Sequence, residues 1–208
     1  MMQKKVVPYI LLALICGGLV MKGANLHARN AVVPQKEMIS AQQNSPISPP
    51  VSSCTVTREA REVRGNSLSG LLEPGAQIEV LFGYYACHVP ARGDIVVYRW
   101  AGNPEPIVKI VRGVPGDTLA LKNEGQVWRI VINGSVLTTS GGIPYALGDA
   151  AHHMLSLYMP PTTSTTVIPP HAYLILGNLA EGSRDSTRFG LVDISDMLGK
   201  VELVLRDN

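Results

Sequence analysis

From residue 54 onward the chain is a series of short apolar runs broken by Gly, Pro, Asn and Asp. Period-two alternation, together with β-branched and aromatic residues, marks strands at 55–63, 77–82, 94–100, 107–111, 118–121, 128–132, 136–139, 173–176 and 200–205. Asn133-Gly134 sits between two of these runs, and both residues tolerate positive φ, so a tight hairpin is predicted there. A short helix is predicted over 194–198, capped by Asp193. Many short strands and no long helix point to an all-β, β-dominated domain. Residues 140–170 break the pattern with Pro160-Pro161, a Thr/Ser run and Pro169-Pro170, and are expected to be a loop or small subdomain.

Upstream the pattern changes twice. Lys4 and Lys5 precede an uncharged apolar run over 6–21. As a helix those sixteen residues span about 24 Å, short of a bilayer core of about 30 Å, and Lys22 can snorkel to let 23–26 extend it. A membrane anchor over 1–26 is the preferred reading, and a cleaved signal sequence is the alternative. Basic residues flank both ends of the run, so charge does not set its orientation. Residues 27–53, rich in Pro, Ser and Gln, read as a linker. Residues 54–208 then form the globular domain, which the anchor directs to a membrane translocation route.

Composition adds limits. The chain has 208 residues, 46% hydrophobic and 16% charged, with Phe82 and Phe189 its only phenylalanines, so the core is built from Val, Ile, Leu and Tyr. A net charge of +2 with no basic stripe gives no support for nucleic acid as a partner. Cys54 and Cys87 can pair in an oxidising compartment, but their spacing alone does not decide whether they do.

Two residues carry candidate chemistry. On a strand, Lys109 shares its face with Ile107 and Val111, both aliphatic, where a solvated lysine would have polar neighbours. Desolvation lowers a lysine pKa, and bringing it from about 10.4 to near 7 costs roughly 4–5 kcal/mol. The plainer alternative is an edge-strand lysine that blocks aggregation. Ser67 lies in Gly65-Asn66-Ser67-Leu68-Ser69-Gly70, where a serine commonly satisfies a turn. None of the five histidines sits in a recognisable triad segment, and no metal-ligand spacing is found. Arg92-Gly93-Asp94 reads as a turn entering a strand. A third segment, 176–190, is polar and glycine-rich and follows the apolar run 172–176, a placement that suits a functional loop.

In this order the segments resemble the type I signal peptidases, membrane-bound serine proteases with a serine–lysine dyad. The resemblance rests on Gly65-Asn66-Ser67-Leu68, on 92–98, on Lys109 through Gly113-Val114-Pro115-Gly116-Asp117, and on Ser183 through Asp185-Ser186 to Phe189-Gly190. It implies an antiparallel β-sheet domain behind a transmembrane helix, with Ser67 as nucleophile and Lys109 as general base. Ser183 would hydrogen-bond and orient the lysine, Asp185 would hold the loop, and Val63, Leu68, Leu72 and Val108 would line shallow substrate pockets. The implied substrates are preproteins carrying signal peptides, cut after small residues by a catalytic domain outside the cytoplasm of a cell membrane, with membrane lipid as a further partner and no cofactor. Several positions depart from the family pattern. Gly65 stands where a serine often helps the oxyanion, Leu68 replaces the usual Met, Gly70-Leu71 replaces Pro-Thr, Ile110 replaces an arginine, and Thr187 falls between Ser186 and Arg188. A pilin-processing conjugative peptidase would share the dyad. Self-cleaving repressors also use Ser and Lys, but would carry a helix-turn-helix domain. A non-enzymatic exported β-domain would leave Lys109 solvated and far from Ser67.

Overall fold

A computed structural model describes residues 54–203, apart from Gly102. The expected anchor and linker lie outside the described residues. Among those described, no helix is long and apolar enough to cross a membrane.

The strands are β1 (Thr57–Glu62), β2 (Gln77–Phe82), β3 (Ile95–Tyr98), β4 (Ile107–Gly113), β5 (Thr118–Glu124), β6 (Val127–Ile132) and β7 (Ser135–Val136). Helix α1 (Asp149–Ser156) follows, then β8 (Thr165–Val167), β9 (Ala172–Leu176), α2 (Ser186–Phe189), β10 (Val192–Asp193) and β11 (Met197–Leu203). They form a seven-stranded sheet, β1-β2-β11-β3-β4-β9-β10, and a four-stranded sheet, β7-β6-β5-β8. The paired strands are antiparallel.

The continuous apolar runs are the strands covered on both faces. Every residue of β3 is buried. In β9, Tyr173 and Ile175 join a core with Val96, Tyr98 and Val111, while Leu174 and Leu176 turn to the core under the second sheet, with Leu119, Leu121, Ile130, Ile132 and Leu155. β9 therefore joins both cores, and its end is held from both sides. In β4, Val108 and Ile110 pack toward Val63, Leu68 and Leu72, while Ile107 and Val111 face the other way. β9 pairs with β4 from Ile110 onward, opposite Leu176, so among the described residues the β4 edge at residues 107–109 has no strand partner on that side.

The structure refines several of the sequence expectations. Residues 194–196 make a single 3-10 turn, and β11 already begins at Met197. The run at 136–139 is a strand only at its start, in Ser135–Val136, and continues as an isolated bridge between Thr138 and Pro144. The irregular stretch 140–170 holds α1 and β8. His152 and His153 lie on α1, and His152 stacks on Trp128 with ring centroids 3.9 Å apart.

Polar side chains fix the turns between strands. Arg92 donates to the Arg112 carbonyl at 2.5 Å and to both oxygens of Asp117 at 2.6 Å. Asp117 also accepts from the Val114 N–H and from Asn133 Nδ2, and Asn133 Oδ1 accepts from the Thr118 N–H. The segments 92–94, 112–118 and the 133–134 hairpin are thus one cross-linked unit. Cys54 and Cys87 form a disulfide, with Cα atoms 5.9 Å apart and a sequence separation of 33, tying the entry of β1 to the turn after β2. A loop of that size is worth about 3–4 kcal/mol in the chain-entropy account. We expect Cys54→Ser/Cys87→Ser to lower the unfolding free energy by roughly that amount in urea titrations, and reductant to destabilise the wild type but not the variant.

Candidate active site

Three segments meet at Ser67. The first is the connection between β1 and β2, closed at its base by Val63 N–H to the Ala76 carbonyl and Gly75 N–H to the Val63 carbonyl, each 2.9 Å. Gly65 carries φ +79°, a left-handed conformation that costs glycine little and most residues more, so the chain reverses just before the serine. A helical turn follows, with the Leu71 and Leu72 N–H groups donating to the Leu68 carbonyl, and this points Leu68 and Leu72 into the core with Val63. The pair of leucines sets how deeply the turn sits.

The second segment is β4. Lys109, opposite Val96 in the ladder, is 3% exposed. Its Nζ lies 2.8 Å from Ser67 Oγ and 2.7 Å from the Val108 carbonyl, to which it donates. Burial pushes the ammonium pKa down from 10.5 to about 8; the Asp185 charge works against that shift and the Arg184 charge adds to it. A hydroxyl at hydrogen-bond distance from an amine of such reduced basicity can pass it a proton near neutral pH.

The third segment runs from Gly177 to Gly190. The Asn178 N–H donates to the Ser67 carbonyl at 2.7 Å. Gly177 leaves room for that approach, since a Cβ there would fall 2.7 Å from the Ser67 carbonyl oxygen and 2.3 Å from Ser183 Oγ. Asp185 is buried and accepts from the Gly177 N–H at 2.8 Å, the Thr187 N–H at 3.0 Å and Thr187 Oγ1 at 2.8 Å. These bonds fold 177–187 back on itself without Arg188, which is exposed.

Ser183 differs from expectation. Its Oγ is buried with no hydrogen-bond partner among the described residues, so the bond to Lys109 that the resemblance implied is not formed. The hydroxyl packs against Gly177, and the bonds of Lys109 Nζ go to Ser67 and Val108. Of the four apolar candidates, Val63, Leu68 and Val108 line a cleft of about 760 Å³ that also contains Ser67 and Lys109. Leu72 is buried in the cluster beneath them and does not line the cleft. Ile78, Val80, Phe82 and Val97 also line it and were not singled out from the sequence. Their alternation marked them as core, and only the topology opens that core to a groove. Asn178 also escaped notice, because an amide just past a strand carries no signal until its partners are known.

Comparison with known proteins places the chain. The model of the family described as signal peptidase, peptidase S26, matches residues 50–206. A signal peptidase IB from Staphylococcus aureus (strain COL) is 30% identical over 144 residues, covering 67% of this chain and 73% of the relative. A signal peptidase I from Bacillus caldolyticus is 31% identical over 141 residues, covering 67% and 75%. A crystal structure of a signal peptidase I from Enterococcus faecalis V583 matches with 22% identity and a TM-score of 0.35, over 54% of this chain and 97% of that one. With the family model spanning most of the chain and relatives at this identity, the chain belongs to the signal peptidase family, peptidase S26.

Proposed function

We propose that this protein is a membrane-bound serine endopeptidase that removes N-terminal signal peptides from exported preproteins. In this reading Ser67 is the nucleophile and Lys109 the general base. The observation that carries it is the 2.8 Å approach of Lys109 Nζ to Ser67 Oγ, with the lysine buried. In its neutral form the amine accepts the hydroxyl proton while Oγ attacks the scissile carbonyl. The proton then passes to the leaving amine, and water releases the acyl group by the reverse sequence. The Ser67 N–H makes no hydrogen bond among the described residues and can donate to the oxyanion. Gly65 offers no hydroxyl for that task.

The cleft suits an extended chain. The β4 edge at 107–109, free of β9, can pair with a substrate strand, while Val63, Leu68 and Val108 receive alternate small side chains. The Cys54–Cys87 bridge fits a domain working in an oxidising compartment. Residues 1–26 would hold it at a cell membrane, with the catalytic domain on the extracytoplasmic side. Ser183 and Asp185 support the site by shaping the loop behind Gly177 rather than by touching the base.

Three outcomes are expected. Purified protein cuts a preprotein at an Ala-x-Ala site, and Ser67→Ala and Lys109→Ala each lower kcat by at least about 10³-fold with the fold intact by circular dichroism. Full activity in either variant would end this assignment. The base must be neutral, so kcat/KM should climb with pH through an acid limb near 8; a limb near 10.5 would mean the lysine is not desolvated in solution. The same shift governs stability. The folded-state pKa lies below the unfolded value, so the folded protein binds fewer protons between pH 8 and 10.5 and gains stability as pH rises through that window. Below it, the fold carries the cost of a buried ammonium. Lys109→Met, inactive as an enzyme, should therefore unfold at a higher urea concentration at pH 7, by up to about 3 kcal/mol, an advantage that shrinks toward pH 10.

A further inference from the structure

Between residues 66 and 72, the hydrogen bonds that reach distant segments of the described chain end on two residues, Lys109 and Asn178. Lys109 takes the hydroxyl. Asn178 takes the backbone on both sides of it. Its N–H donates to the Ser67 carbonyl at 2.7 Å, and its Nδ2 donates to the Ser69 carbonyl at 2.9 Å. The second Nδ2 hydrogen goes to Ser140 Oγ at 2.8 Å, and Oδ1 accepts from the Ser140 N–H at 2.8 Å. The side chain is 6% exposed.

The arrangement is specific to an amide. Both amide hydrogens and the carbonyl oxygen are used, and because the Ser69 carbonyl can only accept and the Ser140 N–H can only donate, the group fits in one orientation only. A carboxylate at this position would lose both donations and set a buried charge against the Ser69 carbonyl. The anchor is itself rigid. Gly177 is held by the Asp185 carboxylate on its N–H and by Tyr145 Oη, which donates to its carbonyl at 2.6 Å. Leu68 and Leu72 set the depth of the nucleophile turn but are apolar and non-directional. The directional restraint on Ser67, apart from Lys109 itself, comes from Asn178.

We propose that Asn178 is a positioning residue for the nucleophile, holding the Ser67 turn in register with Lys109 by clamping the Ser67 and Ser69 carbonyls to the end of β9 and to the loop at Ser140. This rests on the peptidase reading above. It also gives the segment around Ser140 a link to the chemistry without contact to substrate. A displacement of the hydroxyl by about 1 Å can cost on the order of 10²-fold in rate, so the clamp acts on kcat.

The test uses the full chain in detergent with a preprotein bearing an Ala-x-Ala site. Asn178→Ala should lower kcat about tenfold or more, with KM within about twofold of wild type. Asn178→Asp should lower kcat as well and move the acid limb of the pH profile upward, because a carboxylate nearby favours the Lys109 ammonium. A residue with only a structural role would lower the thermal midpoint and leave kcat per folded molecule and the acid limb unmoved. The proposal is overturned if Asn178→Ala keeps kcat within about twofold of wild type, whatever its thermal midpoint. Should Asn178→Ala not fold, the near-isosteric Asn178→Asp decides: a kcat lowered at pH values above its acid limb, where Lys109 is neutral, supports the clamp, and a wild-type kcat there overturns it. Failure of the wild type to cut any preprotein would instead bring down the peptidase reading.

Discussion

Taking the Lys109 amine out of water costs the fold several kcal/mol, and the rest of the site is arranged around that cost. β4 is an interior strand, with β3 along one side and β9 along part of the other, and the apolar faces of all three exclude solvent from the stem of the lysine. Nζ then finds two oxygens, the Ser67 hydroxyl and the Val108 carbonyl, in place of water. Asp185 pulls its pKa up and Arg184 pushes it down, so the amine settles between its ordinary basicity and that of an unsupported buried lysine. Remove the nucleophile turn or the 177–187 loop, and the amine would rehydrate.

The loop and the turn meet where side-chain volume vanishes. At Gly177 the Ser67 carbonyl and Ser183 Oγ both come closer to the backbone than a methyl group would allow. Main chain therefore touches main chain, and the hydrogen bonds that locate Ser67 are mostly backbone groups or a short amide. Positions fixed in this way move little, which suits a nucleophile whose base approaches within 2.8 Å.

The sequence made some of this legible and hid the rest for identifiable reasons. Alternation reports what is half-buried, so the longer strands and the opposed faces of Ile107/Val111 and Val108/Ile110 were readable, while the short β8 and β10 were not. A lysine between aliphatic same-face neighbours was readable too, because burying a charge is costly enough to leave a local trace. The helix Asp149–Ser156 was not, since Leu155 is its one buried residue and two histidines obscure any stripe. The pairing of Cys54 with Cys87 needed their separation in space. The resemblance implies a bond from Ser183 to Lys109, whereas in the fold its hydroxyl turns toward Gly177. Asn178 links segments 38 and 109 residues away, a distance over which no periodicity carries information.

The unpaired stretch of β4 has a consequence beyond this chemistry. A sheet edge with open carbonyl and amide groups accepts any extended chain, including another molecule of the same protein. The mouth of the cleft is ringed by Arg61, Glu62, Arg64 and Glu105, and β1 beside it carries Arg58 and Glu59 on a largely exposed strand. Charges of both signs around an apolar groove discourage strand-to-strand stacking while leaving the groove open to a neutral peptide. Neutralising several of them at once would leave a protein that is folded and yet prone to fibrillar self-assembly along the edge built to receive its substrate.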